Sequence, residues 1–196
     1  MSILIAAATA LECELVRARA RAIVTGVGQV NIAHALTLAI EQQRPDAIVV
    51  VGIGGAYPGS TLTIGDVVCA ASETFGDLGV EAPEGFVELT EFVQNTYPLQ
   101  IFPTSRRARF VTVSTCTGTD ELTRRVQVRT QGEVENMEGA AAVQIAARYG
   151  IPIGEIRGIS NMTGRRERPS WEIPEAARSA QEALLLWLAS LPISFA

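Results

Sequence analysis

The 196-residue chain contains no lysine: all 16 of its basic side chains are arginine. That absence excludes a P-loop lysine, a Schiff-base lysine, a pyridoxal-phosphate anchor and a lysine general base. Histidine is almost as scarce, with His34 alone. Zinc motifs that need two histidines cannot be written, and a Ser-His-Asp or Cys-His catalytic group would have to use that single imidazole. The three cysteines, Cys13, Cys69 and Cys116, are odd in number and lie far apart inside apolar runs. They point to reduced, buried thiols and a cytoplasmic address rather than a disulfide framework. No apolar run reaches the roughly 18 residues of a membrane span. The opening MSILIAAATALECE lacks the basic start of a signal peptide, so secretion is not expected. Basic charge is in deficit, with 21 acidic side chains and a net charge of −5, so no nucleic acid partner is expected. Arginine groups within 106–109, 124–129 and 165–168 read as solvated faces.

What is present fits a single domain over residues 1–196. The chain is 47% hydrophobic and 19% charged, and at this length about 70% of the unfolded surface can be buried without a disulfide or metal staple. Short apolar runs at 3–8, 22–25, 47–51, 67–70, 110–114 and 153–159 read as strands. Helical spacing covers 31–42, a short stretch near 121–126, 137–149, and 173 or 174 to 188. Residues 73–103, rich in Gly, Pro, Glu and aromatics, have weak periodicity and read as a long loop. The alternation predicts an α/β fold of three layers, a mostly parallel twisted central sheet flanked by helices. In such a sheet ligands bind beyond the carboxyl ends of the strands.

Two glycine clusters, 26–31 and 52–59, follow strands. Neither completes the dinucleotide fingerprint GxGxxG: Asn31 occupies the third glycine's place in one, and the other runs into Pro58. Both let backbone N–H groups approach a ligand closely, and both also fit tight turns. Glu138 stands in the first turn of a small-residue helix, where the macrodipole favours an anion. Gly139 and the alanines after it let that helix pack closely and carry Glu138 to the strand ends. Ser160 and Asn161 end a strand, as caps or as ligand contacts. Glu12 and Glu14 follow the first strand, either as a solvated helix start or with one of them as a catalytic acid or base.

Together ALECEL (10–15), GVGQVNIAHAL (26–36), VGIGGAYPG (51–59), GDVV (65–68), VENMEGAA (134–141) and RGISN (157–161) stand in the order and spacing of the nucleoside phosphorylase and nucleoside hydrolase superfamily. The chain resembles that family over nearly its whole length. Within it the sequence is most similar to the futalosine hydrolases of menaquinone biosynthesis, and next to the methylthioadenosine/S-adenosylhomocysteine nucleosidases. The resemblance implies hydrolysis of the N-glycosidic bond of a purine nucleoside, no metal or organic cofactor, and a homodimer or larger homo-oligomer. It implies that Glu14 handles the attacking water and that Glu138 grips the ribose hydroxyls with Met137 against the sugar. By the same likeness Ile53, Gly54 and Gly55 lie beside sugar and water, residues 114–120, with Asp120, form the wall around the purine, and Ser160 is a further substrate-binding residue. Asn161 stands where adenine-specific nucleosidases place an aspartate.

That departure bears on the base. Hypoxanthine presents N7 and O6, both acceptors, to which an asparagine amide can donate, whereas an ionised aspartate would face two lone pairs. The expectation is a 6-oxopurine nucleoside such as futalosine. Two other readings stand beside it. A phosphorylase needs arginine or helix N-termini aimed at phosphate, and the sequence does not place Arg106, Arg107 or Arg157. A non-catalytic nucleoside-binding module would be expected to lack Glu14 or Glu138. His34 reads either as structural or as a contact to the 5′ substituent or across a dimer, and Phe75, Phe86, Phe92 and Tyr97 as a cover for that substituent or as core.

Overall fold

In β1 (Ile3–Ala7), Leu4 and Ala6 point to one side and Ile5 and Ala7 to the other, and all four are fully buried. A continuous apolar run of this kind belongs to a strand covered on both faces. The computed structural model describes residues 1–165 and 170–191. Arg166 and Arg168 of the last arginine group lie outside the described residues. After β1 the order is α1 (Glu14–Arg17), β2 (Ala22–Val24), α2 (Gln29–Gln42), β3 (Ala47–Ala56), β4 (Val67–Phe75), β5 (Gly79–Ala82), β6 (Gly85–Glu88), β7 (Thr96–Pro98), β8 (Arg107–Thr112), α3 (Asp120–Thr130), β9 (Val134–Asn136), α4 (Gly139–Tyr149), β10 (Ile153–Met162) and α5 (Ile173–Ser190).

The expectation of a mostly parallel twisted sheet is met in part. β1 pairs in parallel with β2 and β3, β3 with β10, β4 with β8, and β8 with β9. β4 runs antiparallel to β10, and β9 antiparallel to β3. Because β10 touches both β3 and β4, the strands β3-β10-β4-β8-β9 close on themselves, and β1 and β2 extend the sheet outward from β3. The sheet is mixed and closed. The stretch 73–103 is also more ordered than its weak periodicity suggested: β4 runs on to Phe75, β5 and β6 form a hairpin, and β7 pairs with β4.

Helices cover the two sides of the sheet, as expected. Ile32, Leu36 and Ile40 of α2 and Ala142, Val143 and Ala146 of α4 pack with Leu4, Ile48 and Val50. On the other side Val16 of α1 and Ala180 and Leu184 of α5 pack with Ile5, Val49, Val51 and Ile156. The backbones of α5 and β10 come so close that a methyl group at Gly158 would overlap the Ala176 carbonyl. That contact seats α5 against the strand carrying Arg157, Ser160 and Asn161.

Gly158→Ala is therefore expected to destabilise the protein by about 1–3 kcal/mol through overpacking, read as a lowered urea midpoint at unchanged slope. An unshifted midpoint would mean that α5 does not pack this tightly.

Candidate active site

The ends of several strands open onto one cavity of about 520 Å³. Its wall takes Thr9, Leu11 and Glu12 from the turn after β1, Ile53 to Gly55 from β3, residues 135–138 from β9 and the start of α4, and Ser160 and Asn161 from β10. Cys116 and Thr117 close one side, Trp171 and Ile173 another. A second depression of about 430 Å³ beside β7 and α4 is lined, among the described residues, by no carboxylate or arginine, so of the two the first is the candidate site.

Glu12 is 5% exposed. Its Oε2 accepts from the Thr9 N–H (2.9 Å) and the Thr9 hydroxyl (2.7 Å), and its Oε1 accepts from the Ile53 N–H (3.0 Å). Thr9 and Glu12 stand at the spacing of a capping box, in which the glutamate reaches back to the first residue's N–H. Gly52 supplies the room: a Cβ there would lie 2.6 Å from Glu12 Oε1 and 2.9 Å from Arg157 Nη1.

Glu138, 3% exposed, occupies the N-cap position of α4. Its Oε1 accepts from the Gly28 N–H at 2.9 Å and its Oε2 from Arg157 Nη2 at 3.1 Å. Gly28 adopts φ 98°, a conformation that favours glycine. The first glycine cluster thus delivers a backbone donor to a carboxylate rather than to a phosphate. Arg157, also 3% exposed, sends Nε to Glu155 Oε1 (2.7 Å) and Nη1 to the Ile53 carbonyl (2.9 Å). Burial works to strip the proton from its guanidinium, but Glu155, Glu138 and Glu12 outweigh it and hold Arg157 above its usual range.

The opposite wall carries Glu135, which accepts from the Thr117 N–H (2.9 Å) and hydroxyl (2.7 Å) and from the Tyr57 hydroxyl (2.8 Å). Burial pushes its carboxyl above the ordinary range although these donors act against it. Ser160 Oγ donates to Asn161 Oδ1 at 2.8 Å, while Asn161 Nδ2 donates to the Met162 carbonyl at 3.0 Å.

The cavity thus brings together Ile53, Gly54, Gly55, Met137, Glu138, Ser160 and Asn161. It does not include Glu14. That residue opens α1 on an exposed face, two positions beyond the turn that folds Glu12 inward, and Glu12 is the carboxylate of this segment that lines the cavity. Asp120 is likewise outside the cavity: exposed at the start of α3, it accepts the Arg165 N–H at 3.0 Å and ties down the turn beyond β10. His34 is exposed on α2. Phe75 packs edge-on against Tyr97, Phe86 lies under the Arg129 guanidinium, and Phe92 faces solvent. Arg106 pairs with Asp66 at 2.5 Å and Arg107 lies over the Phe102 ring, both away from the cavity. The sequence alone does not place Arg157, although a charge inside the apolar β10 run demands a buried partner.

The family model described as "Phosphorylase superfamily" matches residues 8–190. The chain belongs to the phosphorylase superfamily. It is 33% identical to the futalosine hydrolase of Acidothermus cellulolyticus over 182 residues, 85% of this chain and 74% of that protein. With the futalosine hydrolase of Thermus thermophilus it shares 31% identity over 84% of this chain and 79% of that one. With that of Streptomyces coelicolor it shares 33% over 74% and 66%. The chain thus spans between 66% and 79% of the length of these superfamily members. An S-adenosylhomocysteine nucleosidase of Streptococcus pyogenes, solved with 5-methylthiotubericidin, shares the fold at a TM-score of 0.84 and 22% identity, covering 98% of each chain.

Exchange of Arg157 for methionine leaves Glu138 and Glu155 as uncompensated buried charges, with an expected loss of about 3–5 kcal/mol. Chemical denaturation measures it, and a loss below about 1 kcal/mol would contradict the bridging role, being no more than an exposed ion pair contributes.

Proposed function

We propose that the chain hydrolyses the N-glycosidic bond of a purine nucleoside, with futalosine as the substrate its relatives favour. The observation that carries this reading is that Glu12 and Glu138, 126 positions apart, line one cavity and are linked through Arg157 and the Ile53 peptide, whose carbonyl accepts from Arg157 and whose N–H donates to Glu12. As the C1′–N9 bond stretches, the sugar gains oxocarbenium character and the base gains electron density. Glu138 holds the 2′ and 3′ hydroxyls and supplies negative charge beside the sugar. Glu12, its lone pairs ordered by Thr9 and Ile53, takes the proton of the attacking water.

Asn161 acts at the base. With Oδ1 held by Ser160 and one amide hydrogen on the Met162 carbonyl, its second amide hydrogen serves to donate to N7 or O6 of a 6-oxopurine, stabilising the leaving group as an oxyanion donor does. Water rather than phosphate as nucleophile is supported by Arg157, the arginine among the described cavity residues. Its Nε, Nη1 and Nη2 are already committed to Glu155, Ile53 and Glu138.

The test is chromatography of products from futalosine, inosine, adenosine and methylthioadenosine, with and without phosphate. Free hypoxanthine from futalosine in phosphate-free buffer is expected. A requirement for phosphate would replace hydrolysis by phosphorolysis, and a preference for methylthioadenosine would overturn the role of Asn161. In the same assay Glu12→Gln is expected to lose roughly 10²–10⁴-fold in rate, with Glu14→Gln close to the parent. The reverse order would return the base role to Glu14. Asn161→Asp is expected to weaken transition-state binding of the 6-oxopurine substrate by about 1–3 kcal/mol through an unpaired buried group, measured as kcat/KM; an unchanged value would remove Asn161 from base recognition.

A further inference from the structure

Beneath the cavity lie two carboxyl groups that the chemistry above does not use. Glu73 of β4 and Glu155 of β10 are both 0% exposed. Both press against the first turn of α4: a methyl group at Gly139 would overlap Glu73 Oε1 and Glu155 Oε2 together, so the two oxygens share the space under one residue. Glu155 Oε1 accepts from Arg157 Nε at 2.7 Å, while among the described residues Glu155 Oε2 meets no N–H or hydroxyl donor. Glu73 receives two neutral donors, Asn136 Nδ2 on Oε1 at 2.6 Å and Thr112 Oγ1 on Oε2 at 2.8 Å.

Two adjacent anions sealed from water repel strongly. One proton shared between them removes the repulsion and gives Glu155 Oε2 its missing donor. Glu155 faces a guanidinium and keeps the charge; Glu73 faces neutral partners and takes the proton. The charged groups packed around the pair agree with this assignment: Arg157 lies on the Glu155 side with Glu138 beyond it, whereas β8 and β9 present neutral Thr112 and Asn136 to Glu73.

We propose that Glu73 is a positioning residue of this site, held as the neutral acid and donating to Glu155 Oε2, so that the Glu155 carboxylate clamps Arg157 against Glu138. It rests on the functional reading above only in taking Glu138 as the sugar-binding carboxylate. Glu73 reaches Glu138 by a second route as well. Asn136, anchored on Glu73, accepts the N–H groups of Glu138 (2.9 Å) and Gly139 (2.7 Å) on its Oδ1, and Thr112 Oγ1 accepts that of Ala140 (2.7 Å). The register of α4, and with it the place of Glu138, hangs on side chains tied to one buried acid. Burial first, then the Glu155 carboxylate, push the Glu73 carboxyl well above its ordinary range, in the direction this arrangement requires.

The test is spectroscopic and needs no turnover. Infrared spectra of the ligand-free protein carrying 13C-labelled glutamate carboxyls, taken at pH 7, are expected to show a protonated carboxyl that is absent from folded Glu73→Gln and retained in Glu12→Gln. The pH dependence of stability supplies the second readout. Folded Glu73 keeps a proton that the unfolded chain releases, so above the ordinary carboxylate pKa the unfolding equilibrium constant of the parent gains up to tenfold per pH unit, until the folded group titrates. Glu73→Gln lacks that component. Should this variant not fold, the parent alone decides: the protonated band must be present and unmoved when hypoxanthine fills the cavity, whereas the cavity-lining Glu135 would respond. Absence of the band at pH 7, a band shifted by hypoxanthine, or its survival in folded Glu73→Gln overturns the proposal. An active nucleosidase with ionised Glu73 refutes the proposal alone, and an inactive chain with a protonated Glu73 refutes the functional reading alone.

Discussion

Arg157 is a permanently charged side chain that is almost wholly buried, and the arrangement of the site follows from what its charge requires. A buried guanidinium is tolerated only with carboxylates and carbonyls set around its edge. The fold supplies them from three directions: Glu155 from the same strand, Glu138 from the start of α4, and the Ile53 carbonyl from β3. Ile53 in turn gives its N–H to Glu12. One cation therefore joins the two walls of the cavity, and the carboxylates assigned to sugar and water keep a fixed separation because both are referred to it.

The glycines near the site serve this packing. Gly52 leaves room for Glu12 to approach Arg157, and Gly139 leaves room for two buried carboxyls under a helix terminus. The clusters that look like phosphate cradles in the sequence bring backbone donors to glutamate side chains instead. This also bears on water as the reagent: the cavity's arginine is spent on holding carboxylates in place, and an attacking anion would have to compete with them.

What could be read from the amino-acid order was local. Continuous apolar runs marked β1, β3 and β10 as strands, and small residues after Glu138 marked a helix that packs closely. Strand direction was not legible, because it depends on which distant edge a strand meets. β9 is three residues long with Glu135 and Asn136 among them, no apolar alternation at all, yet its antiparallel pairing with β3 helps to close the sheet. The choice between Glu12 and Glu14 turned on a turn geometry. The Thr9 to Glu12 spacing was the available signal, and it predicts a glutamate folded back on its own backbone rather than one carried outward by α1. Two of the partners of Arg157, Glu138 and the Ile53 carbonyl, come from segments about 20 and 100 residues away, a convergence that periodicity does not encode.

A crystal structure with a bound, uncleaved 6-oxopurine nucleoside analogue tests the convergence of these groups most directly. The account predicts the ribose hydroxyls on Glu138, the base edge at Asn161, and the Glu12 carboxylate facing C1′ from the side opposite the base. A sugar seated with Glu138 out of hydrogen-bonding reach, or with Glu12 turned away from C1′, would contradict it.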